Sequence, residues 1–106
     1  MKTISACILL FFSLAVSAQE IKENILENRN YIDRTAEFTR KPLEKGEIVF
    51  LGNSLTQFGK WDLYFPDVQI GNRGIAVDNT LGMLGRLHEM IKAKHKKLFI
   101  MAGIND

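Results

Sequence analysis

The 106-residue chain is poor in the residues that staple or punctuate small proteins: one cysteine, Cys7, two prolines, one tryptophan and two histidines. A single cysteine excludes an intramolecular disulfide and any centre built on several thiolates. Too few prolines and glycines are present, and with no period, for a collagen-like or low-complexity chain. Charge of one sign is also missing: 14 Lys and Arg against 12 Asp and Glu leave a net charge of +2. That balance gives no broad cationic field for nucleic acid. What is there, 46% apolar and 25% charged residues, has the proportions of one soluble globular domain, and two domains do not fit.

The N-terminus follows the layout of a secretory signal over residues 1–18. Lys2 supplies the positive start, Ala6 to Val16 is an apolar run, and Val16-Ser17-Ala18 offers the small residues that precede cleavage before Gln19. The run is shorter than the roughly 20 residues needed to span a bilayer, so no stable membrane anchor is expected. Cys7 follows Ile4-Ser5-Ala6 without a preceding apolar stretch, which argues against lipidation. The exported chain would then hold no cysteine and would be stabilised by burial alone, which is marginal at this length.

Residues 19–46 read as an N-terminal helical segment. Ile21, Ile25, Tyr31, Ile32 and Phe38 keep a partial helical spacing that Asn28-Arg29-Asn30 interrupts, and Lys41-Pro42 and Lys45-Gly46 end it. Ile48-Val49-Phe50-Leu51 is an unbroken apolar run, which predicts a strand covered on both faces, as in a parallel sheet. Asp67 to Gly71 predicts a second, weaker strand. Leu81, Leu84, Leu87, His88 and Ile91 predict one helix over 80–95, capped by Asn79 or Thr80, and Leu98 to Ala102 predicts a third strand. Strands alternating with helices define an α/β protein, a flavodoxin-like three-layer parallel sheet with right-handed crossovers.

In such sheets the working site lies beyond the carboxyl ends of the strands. The three predicted strands run into Gly52-Asn53-Ser54-Leu55-Thr56, Gly71-Asn72-Arg73-Gly74 and Gly103-Ile104-Asn105-Asp106. A serine at a strand-to-turn junction can present its hydroxyl to a carbonyl, and backbone or carboxamide N–H groups can hold the oxygen that becomes anionic. Gly74 suits a close backbone donor and Asn105 a side-chain donor, although Gly-Asn and Gly-Ser pairs are also ordinary turn residues.

Ile48 to Thr56, Asn72-Arg73-Gly74-Ile75 and Phe99 to Asp106, in that order, resemble the opening half of an SGNH hydrolase, the GDSL-type esterase family, over about residues 30–106. The resemblance implies the SGNH fold for 47–106, truncated after about the third strand. It implies Ser54 as nucleophile and an oxyanion hole of the Ser54 and Gly74 N–H groups with the Asn105 side chain. Trp61 and the Asn-Arg-Gly-Ile wording are most similar to the branch of platelet-activating-factor acetylhydrolase-like and carbohydrate O-acetyl esterases. The implied substrate is therefore a small ester or acylated carbohydrate, with no cofactor or metal.

Two positions depart from that pattern. Asn53 stands where the family usually carries Asp. The family's general base and its orienting acid come from a downstream Asp-x-x-His motif, which these residues lack, so the chain alone is expected to be nearly inactive and a piece of a longer esterase. His88, on the expected apolar helix face, reads as a packed residue, and His95, within a Lys-rich helix end, as a solvated one. Neither is expected to reach Ser54. Asp78 reads as a helix cap and Asp106 as a residue that holds its loop, while Trp61, Tyr64 and Phe65 could wall a crevice or fill core. Two other functions compete: a phosphate or nucleotide binder using Ser54 and Thr56, although no Gly-rich loop with Lys is present, and a non-catalytic secreted remnant.

Overall fold

A computed structural model describes residues 24–106 of the chain; the expected signal segment 1–18, with Cys7, lies outside the described residues. The first element is a 3₁₀ turn, Ile25–Glu27, opened by Asn24, whose side chain accepts from the Leu26 N–H. Helix α1 (Arg29–Arg40) follows, with Asn28 accepting from the amides of Asn30 and Tyr31 at 3.0 and 3.3 Å. Asn28-Arg29-Asn30 therefore starts a helix instead of interrupting one, because its first side chain supplies the acceptor that exposed helix amides need. Two turns apart, Tyr31 and Phe38 face inward and bury with Ile25 and Ile75.

Strand β1 (Ile48–Gly52) is the centre of a three-stranded sheet between β2 (Ile70–Gly74) and β3 (Lys97–Ile100), and both pairings are parallel. Short helices α2 (Ser54–Gln57) and α3 (Trp61–Tyr64) connect β1 to β2; α4 (Thr80–Leu84) and α5 (Leu87–Ala93) connect β2 to β3. Val49 and Leu51 point to one face and pack on Met83 and Met90, with Leu43, Leu87 and Leu98 around them. Phe50 points to the other face, edge-on to Trp61, Phe65 and Phe99 at centroid distances of 4.7, 6.4 and 5.5 Å. The architecture is α/β with a parallel sheet, compatible with part of a flavodoxin-like fold.

Three elements differ from their sequence pattern. The second strand begins at Ile70, not Asp67, and runs through Asn72 and Arg73. Arg73 can be buried there because Glu89 pairs with it at 2.8 Å, the Lys41 carbonyl accepts from it and the Phe38 ring lies against its guanidinium. The single helix expected over 80–95 is two, broken at Gly85-Arg86, because Arg86 turns inward. Met83 and Met90 then bury, while Leu81, Leu84, His88 and Ile91 are exposed, so His88 is not a packed residue. The third strand starts one residue early and ends at Ile100, two residues short of Ala102, and it lies at the sheet's edge with Phe99 and Ile100 55% and 59% exposed. Among the described residues no helix is long and apolar enough to cross a membrane.

Candidate active site

Gly52 and Gly74 lie side by side at the carboxyl ends of β1 and β2. The Gly52 carbonyl accepts from the Ile75 amide at 3.0 Å and the Leu51 carbonyl from the Met101 amide at 2.9 Å, so both outer strands leave the sheet tied to β1. Buried Asn53 then caps α2, its side-chain oxygen 3.1 Å from the Leu55 amide. That role needs an oxygen acceptor and no charge, which explains how Asn serves at this position. Ser54 is the first residue of α2, so its N–H has no intrahelical acceptor. Its side chain is half-buried and its hydroxyl has no hydrogen-bond partner among the described residues.

Gly74 is brought against the same turn, but for a different reason than access to a reacting atom. A Cβ on Gly74 would collide with the Gln57 nitrogen and lie 2.6 Å from Gln57 Cα and from the Thr56 carbonyl carbon, so the missing side chain lets the backbone of α2 approach. The Gly74 N–H donates to Asn72 Oδ1 at 2.9 Å, and its carbonyl accepts twice from Arg34 at 3.0 and 3.1 Å. Two residues on, the Ala76 N–H donates to Gln57 Oε1 at 2.6 Å, an oxygen that also accepts from Asn30 Nδ2. The amides of 74 and 76 thus both meet side-chain carbonyl oxygens. Ala76 and Gln57 escape sequence reasoning because every residue carries an amide and only the fold shows which side chain it meets.

The third strand's exit turns at Gly103, whose φ of +107° falls where a side chain would be strained. Asn105 then donates from Nδ2 to the Asp78 carbonyl at 2.9 Å, and the Asp106 carboxylate accepts from the Thr80 amide and hydroxyl at 2.8 and 2.9 Å. Asp106 holds its loop onto the start of α4. Asn79 caps that helix, its side chain accepting from the Gly82 amide at 3.0 Å. Ser54 and Gly74 are therefore in one packed unit, and Asn105 is anchored to the segment that follows β2.

Asp78 is no surface cap. It is 1% exposed and pairs at 2.7 Å with Arg86, itself 5% exposed. Arg86 also donates to the carbonyls of Arg73 at 2.7 Å and Gly52 at 3.4 Å. Burial pushes the Asp78 carboxyl above the ordinary carboxylate value against the opposing pull of Arg86, and burial lowers the Arg86 guanidinium. Beneath the pair, the Phe38 ring receives the guanidinium carbons of Arg34, Arg73 and Arg86 at 4.7, 4.4 and 5.8 Å.

The two histidines sit elsewhere. His95 precedes β3 at the amino edge of the sheet, its Nδ1 2.8 Å from the Met90 carbonyl. A five-residue strand at about 3.3 Å per residue separates that edge from Ser54. Exposed His88 lines a cleft of about 590 Å³ between α1 and α5, with Thr35, Phe38, Pro42 and Lys92, and none of Ser54, Gly74 and Asn105 borders it. Trp61 braces α2 through Nε1, which donates to the Thr56 carbonyl at 2.8 Å, while Tyr64 and Phe65 are exposed. Among the described residues no three His, Cys, Asp or Glu side chains gather to hold a metal ion. No protein-family model matches the chain, and no curated protein matches it.

Proposed function

We propose that the chain carries the nucleophile and anion cradle of an exported serine ester hydrolase of the SGNH type, acting on acetyl or other short acyl groups carried by carbohydrate. The observation that supports this reading best is Ser54: an unbonded hydroxyl on the first residue of a capped turn, at the carboxyl edge where all three strand exits meet. Ser54 Oγ would attack the acyl carbonyl. The oxygen that gains charge would be received by the Ser54 N–H, by Asn105 Nδ2 and, as the resemblance implies, by the Gly74 N–H after release of Asn72, each such donor being worth about 2.7–4 kcal/mol of barrier. The proton acceptor would be the histidine of an Asp-x-x-His segment, which is not among these residues. The phosphate-binding reading has less support, because Thr56, its second hydroxyl, is buried against Gly52.

Imidazole added to the chain can stand in for that base. Fluorophosphonate labelling in imidazole, mapped by peptide mass spectrometry, is expected at Ser54 and absent from the corresponding peptide of Ser54→Ala. Equal modification of the two proteins, or none at Ser54, would remove the serine from this role.

A further inference from the structure

The buried Asp78–Arg86 pair lies beneath all three strand exits. On one side Arg86 spans the last turn of the sheet, donating to the Gly52 and Arg73 carbonyls. On the other, the Asp78 backbone carbonyl is the acceptor for the Asn105 carboxamide. Between them the guanidinium binds Asp78 Oδ2 through two nitrogens, Nη2 at 2.7 Å and Nε at 3.3 Å. Asp78 also follows Val77, a β-branched residue at a φ of +61°, so the backbone here is held in a conformation that local preference disfavours. A buried ion pair adds little net stability over an apolar substitute, so stability alone does not account for this one. We infer that Asp78 and Arg86 are positioning residues that set the Asn105 carboxamide against the strand ends bearing Ser54 and Gly74. This inference rests on the serine-hydrolase reading for its purpose, though not for its geometry.

The test uses the isotope-labelled full chain and follows exchange of the Asn105 side-chain amide by NMR. Arg86→Lys keeps a charge for Asp78, but an ammonium cannot span both strand carbonyls. Met90→Ala, a truncation in the core on the same face of the sheet, serves as the control, with denaturant used to bring both proteins to equal stability. Asn105 exchange in Arg86→Lys is expected to be severalfold and up to about tenfold faster, the scale of a lost neutral hydrogen bond on an exposed side chain. Labelling of Ser54 by fluorophosphonate in imidazole is expected to slow by a similar factor, with Met90→Ala at the wild-type rate. If Arg86→Lys does not fold, Asp78→Asn, which keeps the shape and the backbone carbonyl, is read in the same way. Asn105 exchange equal to that of the control at matched stability would overturn the inference. An unlabelled wild-type Ser54 would instead overturn the serine reading, leaving the exchange comparison to decide the positioning role.

Discussion

Replacing Gly74 with alanine isolates the close approach on which the Ser54 turn depends. The new Cβ would sit 2.6 Å from Gln57 Cα and the Thr56 carbonyl carbon, and closer still to the Gln57 nitrogen, whereas ordinary contact begins near 3.4 Å. All three atoms are backbone, so no side chain can swing away. Either the end of β2 or the whole of α2 must move by about 0.8 Å or more, and overpacking of this kind typically costs about 1–3 kcal/mol. Gly85→Ala is the matching control. Gly85 has helical φ and ψ of −63° and −17°, and a Cβ there meets nothing closer than the Gly82 carbonyl and the Tyr31 hydroxyl, both at 3.5 Å. With no strain in the native state, that change should be neutral or stabilise by about 0.4–1 kcal/mol. Urea unfolding followed by circular dichroism gives both values. Labelling of Ser54 should fall in Gly74→Ala by up to about a hundredfold, because the serine rides on the turn that is displaced. Equal midpoints for the two alanine variants would refute the packing account of Gly74.

Two other outcomes follow from the same contacts. The buried Tyr31 hydroxyl donates to the Gly82 carbonyl at 2.7 Å, and burial raises its pKa above the ordinary 10.0. Since the folded state holds this proton longer than the unfolded chain, its contribution is full below the ordinary value and is lost as pH rises through the raised one. Tyr31→Phe should cost about 0.5–1.5 kcal/mol near neutrality and lessen the fall in stability as pH rises above about 10; parallel falls in the two proteins would contradict this. Amide hydrogen exchange should be roughly tenfold faster or more at Phe99 and Ile100 than at Phe50 and Leu51, because β3 is paired on one side and exposed whereas β1 is paired on both; uniform protection across the sheet would contradict it.

The central strand, whose apolar run is covered on both faces, was legible in the residues. Ile48 to Leu51 reads as a strand because four consecutive apolar side chains need cover on two faces, and Ser54 stands out because a Gly-Asn-Ser turn follows at once. Elements fixed by polar partners were not. The second strand extends through Asn72 and Arg73 because Glu89, sixteen residues away, and the Lys41 carbonyl, thirty-two away, satisfy the Arg73 guanidinium. The helix over 80–95 breaks because Arg86 reaches Asp78 and two strand carbonyls, a gain invisible to a pattern that counts Arg as a surface residue. The engagement of the Gly74 amide by Asn72 and of the Ala76 amide by Gln57 is likewise a product of the assembled fold.

The candidate donors are held with unequal firmness, and the difference has a mechanistic consequence. Ser54 follows the central strand and Gly74 ends the strand paired beside it, both braced by main-chain bonds, with the buried core beneath Val49 and Leu51. Asn105 leaves an exposed edge strand, and its neighbour Asp106 anchors the loop through bonds to Thr80 at the surface. A donor contributes to transition-state stabilisation in proportion to how little it must reorganise at the moment of reaction. A carboxamide on a loop held from the surface alone would spend much of its effect on being ordered. The bond from Asn105 to the backbone of a buried, ion-paired aspartate changes that, because it transfers the rigidity of the interior to the edge of the sheet. The cost of desolvating Asp78 and Arg86 is then intelligible: an apolar pair of similar volume would fill the space but could not bind the carbonyls of two strands and fix the turn that carries the acceptor for Asn105.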